Sequence, residues 1–201
     1  MHKWLVGIIA AAAIAIGSSP ASAQRRNAPP RRTVAVQPVP ATGMWAVGGS
    51  IGASAPADAA LQNGIDFAGN IERYLTPRVS VRGQIGVSRW DIQGHSFPGR
   101  IVPFFADANA VYNWEGGAIH PFVAAGVGLY RFHASEPSLR GDDSDTKPGV
   151  NLGGGLEYFL DRHTTMGGEL LYHKVGAFDS PLAAFGDGSF WRFGFGVKRY
   201  F

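Results

Sequence analysis

The sequence predicts an all-β chain, in which about eight antiparallel strands close up-and-down into a transmembrane β-barrel. Three observations predict it. Apolar and polar residues alternate with a period of two through several segments. Those segments run for about ten to thirteen residues between turn signals, close to the length a tilted strand needs to cross a bilayer. After Ile16, no apolar run is long enough to form a spanning helix, and hydrocarbon admits only helices and closed barrels.

The chain has 201 residues, so one folded domain is expected. Residues 1–23 stand outside it. Lys3 supplies a positive start, Trp4 to Ile16 is an apolar run, and Ser18-Ser19-Pro20 breaks that run. Ala21-Ser22-Ala23 then offers the small-x-small form of a cleavage site. Together these form a secretory signal peptide, with cleavage expected after Ala23. There are no cysteines, which excludes a disulfide framework and thiolate metal sites in the exported chain.

Residues 24–42 form an Arg/Pro-rich arm, expected to be disordered and periplasmic. Its prolines (Pro29, Pro30, Pro38, Pro40) favour extended, unpaired chain. Arg25, Arg26, Arg31 and Arg32 could meet anionic lipid or cell-wall polymer. Without these four and Lys3, 13 of the 18 basic residues remain from Gly43 onward, against all 15 acids. The basic balance therefore belongs to the leader and arm. A nucleic-acid-binding body, which needs a basic face, is excluded.

The barrel domain is expected over 43–201. Its strands are Gly43–Ser54, Gly64–Leu75, Val79–Asp91, Pro103–Trp114, Pro121–His133, Gly149–Leu160, Thr165–Gly176 and Ser189–Phe201. Alternation is clearest in four of them. Ile65, Phe67, Gly69 and Ile71 oppose Asp66, Ala68, Asn70 and Glu72. Val79 to Val87 at odd positions oppose Ser80, Arg82, Gln84, Gly86 and Ser88. Val150, Leu152, Leu156 and Tyr158 oppose Asn151, Gly153, Gly155 and Glu157. Trp191, Phe193, Phe195 and Val197 oppose Arg192, Gly194, Gly196 and Lys198.

This alternation fits either a soluble barrel with its apolar face inside or a membrane barrel with that face outside. Three features favour the membrane. The polar face joins long charged side chains with glycines, as a narrow lumen requires. Aromatic residues gather at strand ends (Trp45, Tyr74, Trp90, Tyr112, Trp114, Tyr130, Tyr172, Trp191, Tyr200), as interfacial girdles would produce. Short connections such as Thr76-Pro77-Arg78 alternate with long ones such as Ala134 to Pro148. That places both termini on the periplasmic side and the long loops outside.

The second half of the barrel resembles a known family. Pro121-Phe122-Val123-Ala124-Ala125-Gly126-Val127-Gly128-Leu129-Tyr130 is similar to the fifth strand of OmpA-type outer-membrane barrels. So is the block from Gly149 to His173, with Gly153-Gly154-Gly155-Leu156-Glu157-Tyr158, the Asp161-Arg162 turn and Glu169-Leu170-Leu171-Tyr172-His173. Phe201, after Phe193, Phe195 and Val197 at alternate positions, resembles the signal that the barrel-assembly machinery reads. The resemblance implies an outer-membrane location, contact with outer-membrane lipid and lipopolysaccharide, and an unknown surface ligand for the extracellular loops. Barrels of this family include structural anchors, adhesion and invasion factors, and a few enzymes. This sequence departs from the OmpA pattern in having no peptidoglycan-binding domain after Phe201 and in carrying its own arm.

Asp66, Glu72, Arg82, Asp107, Glu157, Glu169, Arg192 and Lys198 fall on inward faces and are expected to form a polar salt-bridge network filling the lumen. The leading function is a non-enzymatic structural or surface-interaction role in the envelope. The alternatives are a narrow ion-conducting channel and a soluble periplasmic ligand-binding barrel.

No cofactor and no metal site is expected, and catalytic constellations fail on spacing. His173 is the best candidate base, but lipid A deacylases place a serine two residues after their histidine, where this chain has Val175. Ser180 and Asp179 lack a recognisable spacing to it. His173 is read instead as an interface residue. His95, His120, His133 and His163 show no metal-ligand spacing. Asp142-Asp143-Ser144-Asp145 reads as a solvated loop tip without the glycine and distal glutamate of a calcium loop. Arg140-Gly141-Asp142 is an integrin-type tripeptide of the kind that also arises by chance.

Overall fold

The computed structural model describes residues 40–201, apart from 93–98, 115–116, 136–142, 177, 181–182 and 186–187. The expected signal peptide, the arm as far as residue 39, His95 and the Arg140-Gly141-Asp142 tripeptide lie outside the described residues. The chain divides into Met1–Ala35 and Val36–Phe201, and the second unit is the one described below.

That unit is a closed barrel. Its strands are β1 (Trp45–Pro56), β2 (Gly64–Tyr74), β3 (Val79–Asp91), β4 (Arg100–Asn113), β5 (Ile119–Ser135), β6 (Asp143–Phe159), β7 (Thr164–Val175) and β10 (Phe190–Tyr200). The short hairpin β8 (Phe178–Ser180) and β9 (Ala183–Phe185) sits in the connection before β10. Each barrel strand pairs antiparallel with its neighbour along the chain. β1 and β10 close the seam, from Ala46↔Tyr200 to Pro56↔Phe190. No ladder edge is left open around the ring, as hydrocarbon requires.

Alternation decides which way each side chain points, because successive residues of a strand face opposite sides. Ile51, Phe67, Ile85, Val127, Leu152 and Phe195 are exposed on the outer wall, whereas Asp66, Glu72, Arg82 and Arg192 are buried inside. The soluble alternative needs the reverse, an apolar interior and a polar exterior, and this orientation overturns it.

The short connections share one end of the barrel, here termed the turn end. In the first, Thr76 Oγ1 accepts the N–H groups of Arg78 and Val79 at 3.2 and 2.9 Å. In the third, the Asp161 carboxylate accepts the His163 N–H at 2.7 Å, a bond that holds this exposed carboxyl below its usual range. Gly117 turns the second with a φ of 73°, in the left-handed region that glycine adopts without strain.

Three differences from the sequence reading stand out. β6 begins at Asp143, six residues before the expected Gly149, because Asp143 to Pro148 pair with the end of β5 from Ala134 to Leu129. Asp143, Ser144 and Asp145 are thus strand residues, not a loop tip. The β8–β9 hairpin carries no periodic signal and was not expected. Tyr74, Trp90, Tyr130 and Tyr200 are buried inside the barrel and do not join the outer girdles, where Trp45, Tyr112, Trp114 and Trp191 do stand exposed.

Gly86 shows why glycine is needed on the inner face. A Cβ there would lie 2.2 Å from the Phe105 ring and 2.8 Å from the Phe67 carbonyl oxygen. Gly86→Val is expected to lower stability by about 1–3 kcal/mol through overpacking. A reduced urea midpoint of the heat-modifiable folded band would register the loss, and an unchanged midpoint would show that the ring can move aside.

Candidate functional site

The lumen is layered along the barrel axis. At the turn end, Ala46, Tyr74 and Tyr200 pack together with Met44 and Phe159. The two tyrosine rings lie 5.8 Å apart, with their hydroxyls 3.3 Å from each other. At the opposite, loop end, Leu61, Trp90, Ile101, Phe105, Tyr130, Phe132, Val175 and Phe190 form a second apolar cluster. Trp90 meets Phe190 edge-on at 5.2 Å and donates its indole N–H to Ser54 Oγ at 2.7 Å. That bond satisfies its one polar atom.

Between the two aromatic layers lies a belt of charge. Glu72 and Arg82 are direct cross-strand partners on β2 and β3. Arg82 donates through Nε to Glu72 at 3.0 Å and through Nη1 to Glu169 at 2.9 Å, and its Nη2 lies 3.7 Å from Glu157. Its guanidinium also sits over the Phe122 ring at 4.9 Å. Lys198 donates to Glu72 at 2.7 Å and also bonds Glu157. Arg192 bonds Asp66, reaches Glu169 at 2.5 Å and donates to Ser50 Oγ at 2.7 Å. Each carboxylate is finished by neutral donors. Ser80 bonds Glu72, Ser88 donates to Asp66 at 2.7 Å, Gln84 to Glu169 at 3.1 Å and Tyr200 to Glu157 at 2.6 Å.

Seven of the eight residues singled out in the sequence are therefore brought into one connected network. The eighth, Asp107, makes no ion pair among the described residues. Its hydrogen-bond partner is the neighbouring amide of Asn109. Several members had been missed: Ser50, Ser80, Gln84, Ser88 and Tyr200. All occupy inward parity on their strands, and that parity was the available signal. Phe201 lies at the turn end, exchanging backbone hydrogen bonds with Trp45 and leaving its ring exposed.

His173 corrects its expected place at the interface. It shares inward parity with Glu169 and Leu171 and is fully buried. Its Nδ1 meets the Tyr130 hydroxyl at 2.9 Å, and its ring stacks on Phe190 at 4.6 Å. Its contacts among the described residues are those of a packed aromatic ring, and the side chains of Asp179 and Ser180 lie outside the described residues. Among the described residues, no group of three His, Cys, Asp or Glu side chains is placed to hold a metal ion.

Buried charges survive in such a site only when paired and hydrogen-bonded throughout, because desolvation costs each ion several kcal/mol. Each of the seven networked charges has an ionic partner, although Arg82 Nη2 makes no hydrogen bond among the described residues, and a cavity of about 50 Å³ lies beside Asn70, Glu157, Glu169 and Lys198. It can hold a few waters.

Comparison with known proteins gives one family and several folds. The model of the outer membrane protein beta-barrel domain matches residues 9–201. A search of curated proteins by sequence finds no match. Among solved structures, OprG from Pseudomonas aeruginosa is similar with a TM-score of 0.64 at 15% identity, covering 80% of this chain and 97% of that one. Neisserial surface protein A gives 0.60 at 15% identity, covering 80% and 98%. The attachment invasion locus protein Ail of Yersinia pestis gives 0.56 at 13% identity, covering 80% and 99%. These similarities establish a shared barrel fold.

Proposed function

Because the chain belongs to the outer membrane protein beta-barrel domain family, we propose that it serves the envelope as a non-enzymatic, closed-lumen barrel that anchors surface-interacting loops. Its place is the outer membrane, and its apolar wall meets membrane lipid. The observation that carries the reading is the lumen itself. A belt of charge sits between two buried aromatic layers, and this filling of the lumen supports a closed interior. Asp66, Glu72, Arg82, Glu157, Glu169, Arg192 and Lys198 act in this reading as an internal brace. The alternative is a narrow ion channel. Purified, folded protein in planar bilayers is expected to give no conductance steps, and reproducible steps would establish the channel instead.

The signal peptide is removed after Ala23, so the mature chain begins at Gln24, and an intact-mass measurement on the exported protein checks it. The Arg/Pro arm and Phe201 face the periplasm, in keeping with short turns and termini on that side. Phe201 addresses the chain to the barrel-assembly machinery. On the outer side, Arg89, Arg100 and Arg131 project from β3, β4 and β5 just beyond the apolar wall, where the anionic groups of lipopolysaccharide lie. The long connections carry whatever surface ligand the protein meets.

A further inference from the structure

Between its aromatic layers the lumen carries more negative than positive charge. Among the described residues, five carboxylates face it (Asp66, Glu72, Asp107, Glu157 and Glu169) beside three cations (Arg82, Arg192 and Lys198). Two negative charges are left over in a region of low dielectric, where uncompensated charge is expensive. The imbalance has a location. Four carboxylates, on β2, β6 and β7, share the three cations of β3 and β10, whereas Asp107 on β4 pairs with no cation among the described residues.

Around Asp107 the unpartnered atoms are mostly oxygens. Asp107 Oδ2, Gln84 Oε1, Asn109 Oδ1 and Asn151 Oδ1 are all buried without a hydrogen-bond donor among the described residues, and the one unpartnered nitrogen among these side chains is Asn151 Nδ2. Register places them together. Gln84 is the direct cross-strand partner of Asp107, Asn109 is the next inward residue on the same strand, and Asn151 faces Asn109 across Gly126. Two of the amides could not turn a nitrogen inward. Gln84 Nε2 is committed to Glu169 and Asn109 Nδ2 to Asp107 Oδ1, and a carboxylate only accepts. The Gln84 and Asn109 oxygens are therefore held free by the network itself, whereas the Asn151 amide can present its oxygen by rotation. Gly126 and Gly128 let this cluster lie flat against the wall, since a Cβ on either would strike Asn109 or Asp107.

From this geometry we infer that Asp107, Gln84, Asn109 and Asn151 form a site for a hard, oxygen-seeking cation, with calcium as the ion whose charge closes the deficit. One carboxylate with amide carbonyl oxygens is a donor set that calcium accepts, and water completes the coordination. The bound ion acts as the fourth cation of the lumen brace.

The test uses the full mature chain, refolded in detergent free of lipopolysaccharide. Terbium, a calcium surrogate, is added and its emission is read on excitation of the aromatic residues, among them Tyr130 beside the site. Saturable emission that calcium chloride displaces is expected, together with a calcium-dependent rise in the temperature at which the folded gel band disappears. Asp107→Asn should abolish both. It should also raise that temperature in the absence of calcium, because it removes an unpaired buried charge. If Asp107→Asn does not fold, Asn109→Ala and Asn151→Ala should each weaken the terbium response. Absence of any response in the unaltered protein overturns the inference and leaves protons to neutralise the lumen. A response retained in the variants, or lost in Asp145→Asn, overturns it in favour of the β5–β6 surface acids. Conductance steps would sink the closed-lumen reading and leave the cation site standing, so the two fail separately.

Discussion

Arg82→Met is expected to cost about 3–5 kcal/mol of barrel stability, the range for removing one partner from a buried ion pair. Arg82 is the hub of the belt. It stands beside Glu72, Glu157 and Glu169, and its own side chain is 3% exposed. Methionine fills much of its volume but leaves carboxylates facing one another without the cation between them. The measurement is urea unfolding of the refolded protein, followed by tryptophan fluorescence and by the heat-modifiable band. Glu72→Gln together with Glu169→Gln on the Arg82→Met background should recover a large part of the loss, since the penalty lies in the stranded charges. Additive losses across that cycle would show that the three residues do not act as a unit. An unchanged midpoint in Arg82→Met alone would mean that the belt contributes nothing to stability.

Ile85→Arg tests the other face. Ile85 is the central residue of β3 and is 58% exposed on the outer wall. In water an exposed isoleucine could become arginine at almost no cost. At the middle of a bilayer the same change costs about 2–4 kcal/mol. The variant should therefore fold poorly into lipid vesicles, while Ile85→Phe folds normally. Equal folding of Ile85→Arg and the unaltered chain in vesicles would place this wall away from hydrocarbon.

The strands and their faces were legible because a period of two is written directly into residue order. β3 is found with both ends as expected, since Thr76-Pro77-Arg78 and the alternating run to Asp91 leave little choice. The lumen charges were legible for the same reason: Glu72, Arg82, Glu169, Arg192 and Lys198 all fall at the parity opposite most of the apolar residues of their strands. What was misread was the face taken by aromatics at strand ends. Tyr74, Trp90, Tyr130 and Tyr200 lie at strand ends, where inward layers and outward girdles both put aromatics. Parity separates them, because Tyr74 follows Glu72 by two residues and Tyr200 follows Lys198 by two. His173 yields to the same count from Glu169. The start of β6 was hidden for another reason. Asp143, Ser144 and Asp145 have the composition of a loop, and only the continued pairing with β5 makes them a strand. Partner choice is another matter: Arg192 could have met any carboxylate near its depth, and only the closed ring fixes Asp66 and Glu169.

Two of the three cations in the belt, Arg192 and Lys198, come from β10, and the carboxylates they bond lie on β2, β6 and β7. Consider the sheet before that strand docks. Arg82 alone answers four carboxylates, the Tyr74 hydroxyl lacks Tyr200, and Ser50 lacks its donor. Such an intermediate is electrostatically unfinished whatever its ladders look like. The last strand therefore brings the seam and the counter-charge in one event, and closing becomes all-or-none. A sheet one strand short would hold its carboxylates without two of their three cations, so charge pairing as well as the ladder favours docking of β10.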